Sequence, residues 1–269
     1  MRDFESVARA MRDAHAVINL VGILHERGAQ RFDAIHHLGA ENVAKAAKQA
    51  GLDVLVQMSA IGANPSAASV YAQTKAFGEA AVRHIVPEAI IMRPSIVFGP
   101  EDQFFNRFAA MARLLPALPL IGGGKTKFQP VFAGDVAEAI ALAIEGKAVA
   151  GVTYELGGPE IATFREILTY ILSVTGRTRY LLPISFNSAA SFARVTEIAH
   201  KLSFGLFPQA LTSDQVTLLR DDNVVSPSAD AEGRTLHGLG ISPEPFQSIV
   251  PSYLYRYRKT GQFAGTSGG

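Results

Sequence analysis

Cysteine is absent from the 269 residues, and with it disulfides, thiolate zinc sites, iron–sulfur clusters and a cysteine nucleophile. The absence fits a reducing compartment. A surplus of either charge is missing too: 25 Lys and Arg face 24 Asp and Glu, a formal net charge of +1. A dedicated nucleic-acid binder carries a clustered basic excess, so no nucleic-acid partner is expected. Long apolar runs are also lacking. Stretches such as Leu114–Ile121, interrupted by Pro116 and Pro119, fall far short of the ~18–20 residues of a membrane span. The first residues, Met1-Arg-Asp-Phe-Glu5, are charged and open no apolar segment, so no signal peptide is expected. The expectation is a cytoplasmic protein, soluble or peripheral on the inner face of the cytoplasmic membrane. What is present fits a packed core. With 48% hydrophobic and 18% charged residues the chain reads as globular outside its tail, and a chain of this length buries roughly three quarters of its unfolded surface.

Helical stripes and short apolar runs alternate through the first half. Phe4, Val7, Ala8 and Met11 fall at i, i+3, i+4, i+7, one face of a helix. Residues 16–21 read as a short buried strand ending at Gly22. Phe32, Ile35, Gly39, Val43 and Ala47 mark a long helix closed by Gly51. Residues 53–58 form a second strand, 71–85 a second long helix, and 89–92 a third strand broken by Arg93-Pro94. This rhythm predicts an α/β fold with a parallel sheet covered by helices. Further on, 135–144 is an amphipathic helix, and Val152, Tyr154 and Leu156 alternate as a strand. Thr163-Phe-Arg-Glu166 is a capping box that predicts a helix to about Gly176, with two more near 188–202 and 212–220. The Gly- and Ser-rich residues 261–269 read as a disordered tail.

The pattern that carries chemistry is Tyr71-Ala-Gln-Thr-Lys75. Tyr and Lys at i, i+4 project from one helix face. A phenol titrates near 10, so acid–base work at neutral pH needs a cation beside it, at a cost of ~4 kcal/mol of differential interaction. Lys75 supplies part of that. The motif follows Ser59, which ends a hydrophobic strand, and precedes Arg93-Pro94-Ser-Ile-Val-Phe98-Gly99-Pro100.

Strand end, Ser, helix with Tyr-x-x-x-Lys, strand, then Arg-Pro-x-x-Val-Phe-Gly-Pro resembles the extended or atypical short-chain dehydrogenase/reductases. Ala16-Val-Ile-Asn-Leu20, His37-Leu-Gly-Ala-Glu-Asn-Val43 and Gln129-Pro-Val-Phe-Ala-Gly-Asp-Val-Ala137 add to the match. More narrowly, Val17–Ile23, Met58-Ser-Ala-Ile-Gly62, Asp222–Ser226, Leu239-Gly-Ile241 and Ile249–Leu254 look like the dehydrogenase-like accessory subunit of respiratory complex I and its bacterial relatives. The resemblance implies a Rossmann-like part over 1–160, with substrate-side insertions from about 100, and a smaller, mainly helical lobe at 161–260. It implies NADP or NAD held as a structural ligand, with complex I subunits as partners and a peripheral membrane contact. Tyr71 and Lys75 would then touch ribose and nicotinamide, with Arg93, Pro94 and Ser95 at the nicotinamide end. The alternative is an active epimerase, dehydratase or reductase, with Tyr71 as acid/base, Lys75 lowering its pKa and Ser59 orienting substrate. A third reading is a degenerate fragment with neither activity nor ligand.

Two departures favour the accessory role: Ser59 is followed by Ala60 and Ile61 rather than by a second Ser, and His36 stands where the family's helix asparagine aligns. A larger one concerns the pyrophosphate, which in a dinucleotide fold rests on a Gly-rich turn at a helix N-terminus. No G-x-G-x-x-G occurs here. The sequence reads as starting late in the fold, as an N-terminally truncated fragment or from an internal Met, which leaves the Val17 strand as an apolar sheet edge. Gly122-Gly-Gly-Lys-Thr126 lacks the first glycine of a phosphate loop, and His25, His36 and His37 have no carboxylates at ligand spacing, so no metal is expected. The amphipathic stretch 192–207 is read as a helix on its own core, with a membrane or partner contact as the alternative. The basic, aromatic run 253–259 reads as a docking tail.

Overall fold

The computed structural model describes residues 1–202 and 211–259. The end of the 192–207 stretch and the tail at 261–269 lie outside the described residues. In chain order the principal elements are α1 (Phe4–Ala10), β1 (Ala16–Asn19), α2 (Leu38–Gln49), β2 (Val54–Met58), α3 (Val70–Ile85), β3 (Ile90–Pro94), α4 (Phe105–Leu114), β4 (Ala117–Ile121), α5 (Ala133–Ile144), β5 (Thr153–Leu156), α6 (Phe164–Val174), β6 (Tyr180–Ile184), α7 (Phe186–Leu202) and α8 (Ser213–Leu218).

These elements fall into two compact units. The first takes Met1–Ser95, Asp135–Gly157 and Val225–Ser242; the second takes Ile96–Gly134, Gly158–Val224 and the chain from Pro243. A single boundary near 160 is therefore replaced by discontinuous units, exchanged after 95, 134, 157, 224 and 242. The physical reason is hydrogen bonding within the first unit. β5 returns to the sheet beside β3, and the Glu155 N–H donates to the Arg234 carbonyl at 2.9 Å. The Glu155 carboxylate in turn accepts from the Ser226 N–H at 2.7 Å.

In the first unit four parallel strands lie in the order β1-β2-β3-β5. The Rossmann-like parallel sheet expected from the sequence is present. β1 is one edge, and it is shorter than its apolar run: Asn19 Oδ1 accepts from the Val21 N–H at 3.2 Å, turning Leu20 and Val21 out of the sheet and into solvent. Val17, Leu55, Val43, Val82 and the alanines of α2 form the core. Small residues let the helices approach closely. Gly78 of α3 lies against the His36 carbonyl, where an added Cβ would sit 2.0 Å from the oxygen. The helix expected from residue 32 opens with a π turn, Asp33–His37, before α2 begins; such turns are rare and concentrate at functional sites.

The second unit has an aromatic core. Phe98, Phe105 and Phe164 are fully buried, and Phe104, Phe108, Phe128 and Phe246 pack around them with ring centroids 5.2–6.3 Å apart. β4 and β6 pair in parallel, a strand pair that the prolines of residues 114–121 hid from pattern reading. The Gly122–Gly124 run is a tight turn with φ of 61–71°, and a Cβ at Gly122 would strike the Phe186 ring. α6 starts on the predicted capping box at Thr163 and Glu166. α7 is inverted in its amphipathicity. It buries Ala189 and Ala193 against Ile121 and Val216, while Phe192, Val195 and Ile198 are 57–65% exposed.

The Gly78 contact yields a test. Overpacking of this kind costs about 1–3 kcal/mol, so Gly78→Ala is expected to lower unfolding free energy in urea titration by at least the upper end of that range. Gly99→Ala, whose methyl would meet only the Ala133 Cβ at 3.5 Å, is expected to leave it nearly unchanged.

Candidate functional site

The C-terminal ends of β1, β2 and β3 and the first two turns of α3 bring the sequence-selected residues together within the first unit. Ser69 caps α3 by accepting from the Ala72 N–H at 3.3 Å. Its start at Val70 places Tyr71 and Lys75 one turn apart on the same face. The Lys75 ammonium lies 5.9 Å from the centre of the Tyr71 ring and donates to the Met58 carbonyl at 3.3 Å. That carbonyl also accepts from Gln57 Nε2 at 2.9 Å, and Gln57 Oε1 accepts from Asn19 Nδ2 at 2.7 Å. A polar chain thus runs from the edge strand to the amine. Lys75 is only 6% exposed. Burial lowers its pKa from 10.5 to about 8, with the Glu79 carboxylate opposing. Gly22 closes the other side: a Cβ there would come within 3.3 Å of Nζ.

Ser59 follows β2. Its N–H donates to the Met92 carbonyl at 2.7 Å, and the Ile61 N–H donates to the Pro94 carbonyl at 3.0 Å, so β2–β3 pairing continues past the strand end. The Ser59 hydroxyl is buried and finds no hydrogen-bond partner among the described residues. A buried hydroxyl left unpaired costs about 1–3 kcal/mol, which makes it an open acceptor and donor at the strand ends. Pro94 and Ser95 are buried at the end of β3, with the Ser95 N–H on the Leu156 carbonyl at 2.9 Å.

Arg93, expected at the nicotinamide end, is already engaged. Its guanidinium donates from Nε and Nη2 to the two Glu79 oxygens at 2.8 and 2.6 Å, and Nη1 lies 3.7 Å from Glu155 Oε1. The geometry ties α3 to β3 and β5, because a buried bidentate pair satisfies carboxylate and guanidinium together. Removing one partner of such a pair costs about 3–5 kcal/mol when it is fully buried. Arg93→Met is therefore expected to lower the melting temperature markedly while leaving nucleotide affinity, read by fluorescence titration, unchanged.

His36 is the residue that the sequence flagged only as a replacement. Its Nε2 accepts from the Ile23 N–H at 3.0 Å, so Nδ1 carries the proton and donates to Thr74 Oγ1 at 3.2 Å. Thr74 Oγ1 donates in turn to the Val70 or Tyr71 carbonyl, 2.9 and 3.0 Å away. The imidazole stacks on Phe32 at 5.4 Å and meets Tyr71 edge-on at 5.2 Å. Burial, then the Lys75 charge, lower its pKa from 6.5 to about 3. His36 thus stays neutral in the folded chain while the unfolded chain takes up a proton below 6.5. Its contribution to stability is whole above that pH and falls as pH drops toward 3. Between pH 7 and pH 5 unfolding free energy should fall by about 2 kcal/mol on this account, and His36→Gln should flatten that dependence in urea titrations at the two pH values.

Among the described residues no group of three or more His, Cys, Asp or Glu is placed to hold a metal ion. His37 pairs instead with Asp33 at 2.9 Å. No helix of the described residues is long and apolar enough to cross a membrane.

Comparison with known proteins adds to this geometry. The model of the NAD dependent epimerase/dehydratase family matches residues 1–157. The mitochondrial NADH dehydrogenase (ubiquinone) 1 alpha subcomplex subunit 9 of Arabidopsis thaliana is 36% identical over 272 residues, 99% of this chain and 66% of that protein. The protein of the same name from Mus musculus is 32% identical over 96% of this chain and 66% of its own length. The chain thus spans 66% of the length of these two relatives. A protein named ceramide reductase from Caulobacter vibrioides is 32% identical, over 42% of this chain and 35% of its own. Among solved structures, DesIV (dTDP-glucose 4,6-dehydratase) from Streptomyces venezuelae with NAD and TYD bound superposes with a TM-score of 0.68 at 19% identity. That match covers 95% of this chain and 76% of DesIV, a shared fold.

Proposed function

The chain belongs to the NAD dependent epimerase/dehydratase family, and on that basis we propose that it is a nucleotide-binding accessory protein of the respiratory NADH:quinone oxidoreductase (complex I), its nucleotide held rather than turned over. The observation that carries this reading is the extent of likeness. Similarity to the complex I subunits runs through 99% of the chain, both units included, whereas similarity to the ceramide reductase stops at 42%. On this reading the protein sits at the cytoplasmic face of the membrane that carries the oxidoreductase.

The residues present fit the nicotinamide–ribose end of NAD or NADP. Ser59 offers a buried hydroxyl without a partner. Lys75, with three N–H donors, has a single carbonyl contact at 3.3 Å. Lys75 and Tyr71 would hold ribose hydroxyls, and Pro94 and Ser95 would line the nicotinamide side. When bound, the nucleotide would supply hydride chemistry in an active relative. The pyrophosphate has no Gly-rich turn among these 269 residues. His36 keeps the loop after β1 over Lys75 through the Ile23 N–H, which excludes water from the amine.

A second reading, an active reductase or epimerase, draws on one observation: an amine brought to about 8 beside Tyr71, with Ser59 unpaired, is the set an acid–base step needs. One experiment separates the two. The chain, tagged and expressed in its own organism, is captured from detergent-solubilised membranes and assayed for co-purifying NADH:quinone oxidoreductase and for extractable NAD(P)H. The accessory reading expects both, with Lys75→Met lowering nucleotide retention about tenfold or more, the loss of a charge-assisted hydrogen bond. Nucleotide-dependent turnover of a carbonyl or sugar-nucleotide substrate that vanishes in Tyr71→Phe would overturn it, as would capture of neither oxidoreductase nor nucleotide.

A further inference from the structure

The second unit carries a corner that the nucleotide reading leaves without a role. α4 ends at Leu114, and Leu114, Leu115 and Tyr180 are 75%, 43% and 82% exposed around an exposed Pro116. The Tyr180 N–H donates to the Pro116 carbonyl at 3.3 Å, which fixes the start of β6 to this corner. Large apolar side chains gathered at one exposed turn are costly in water.

The same corner is basic. Arg113 precedes the turn and is exposed. Arg179 Nε donates to the Ala112 carbonyl at 2.8 Å, and Arg177 Nε to the Tyr257 carbonyl at 2.8 Å, so both guanidiniums stand at the ends of α4 and α6. Burial, then the charges of Arg179 and Arg113, hold the Arg177 guanidinium below its ordinary range. Arg258 and Lys259 line a shallow cleft with residues 173–176 of the same end. Among the described residues none of these five cations forms an ion pair with a carboxylate.

Cations collected without counter-charges favour an anionic partner. A soluble anion would neutralise them and leave Leu114, Leu115 and Tyr180 in water. An acidic protein surface would bury the apolar turn only if it carried a matching pocket. A bilayer with anionic headgroups answers both needs at once, with apolar side chains and a tyrosine at the headgroup level and Arg or Lys on phosphates. We propose that this corner is a docking surface for an anionic phospholipid bilayer, Leu114, Leu115 and Tyr180 entering the interface and Arg113, Arg177 and Arg179 meeting headgroup phosphates. Arg258 and Lys259, from the run 253–259 that the sequence marked as a docking tail, border it.

Flotation of the purified full chain on vesicles tests this. Binding is expected to vesicles of phosphatidylcholine mixed with phosphatidylglycerol, to weaken as salt is raised, and to be absent on phosphatidylcholine alone. Among the described residues Arg113 and Lys259 make no hydrogen bond, so Arg113→Gln with Lys259→Gln should leave folding intact and weaken partitioning about 25-fold, roughly fivefold per charge. Leu114→Ser should weaken binding without removing its salt dependence. Absence of binding to the mixed vesicles, equal binding to neutral ones, or indifference to these variants would overturn the proposal. So would complete competition by inorganic phosphate with Leu114→Ser silent, which would leave a site for free anions, or retention only by an acidic protein. The same variants are expected to leave nucleotide retention and capture of the oxidoreductase unchanged, so failure of either reading is separable from failure of the other.

Discussion

The absence of a side chain at Gly78 lets α3 rest on the His36 carbonyl, and the candidate site is suspended from that contact. With α3 so placed, Thr74 meets the imidazole, Tyr71 lies edge-on to it, and Lys75 reaches back under the strand ends to Met58. The π turn before α2 is the other half of the fit, since it carries His36, whose carbonyl faces Gly78 and whose ring meets Thr74 and Tyr71. One backbone approach therefore sets the positions of three side chains and, through burial, lowers the pKa of one of them, Lys75.

Charge in this unit is divided between two centres with opposite treatment. Arg93 is surrounded by carboxylates, and its hydrogen bonds raise its pKa. Lys75 has a carbonyl and a ring for company, and burial lowers its pKa. The first arrangement is a fastening between helix and sheet; the second keeps a cation poorly satisfied and thus receptive to hydroxyls or anions. Glu79, one turn after Lys75 on α3, joins the two, since it pairs with Arg93 of β3 and opposes the fall in Lys75.

Much of this was legible in the sequence and some was not, for identifiable reasons. The β–α rhythm, the capping box at Thr163 and the pairing of Tyr71 with Lys75 follow from local signals of period, cap and spacing, while Ser59 joined them through the family resemblance. The engagement of Arg93 does not, because Glu79 and Glu155 are partners only once α3, β3 and β5 are assembled. The role of His36 was hidden for the same reason: its partners, Ile23 and Thr74, come from a loop and a helix on either side of it. α7 defeats amphipathicity outright, since small residues at Ala189 and Ala193 pack more closely than Phe192 or Val195 would, and the apolar face is left outward. A pairing such as β4 with β6 escapes pattern reading because prolines interrupt the apolar run in both.

The interleaving of the two units has a consequence for synthesis. A chain emerging from the ribosome in order presents β1, β2 and β3 early, but the sheet lacks β5 until residue 156 has appeared, and the segment that binds Glu155 comes only at 225–242. Neither unit has all its segments before residue 242, since pieces of each alternate along the chain. Such long-range closures are slow and leave apolar strands uncovered meanwhile. The nascent protein thus depends on what shields its first two hundred residues, and a cleavage at any of the three inner crossings, after 134, 157 or 224, would divide both units at once.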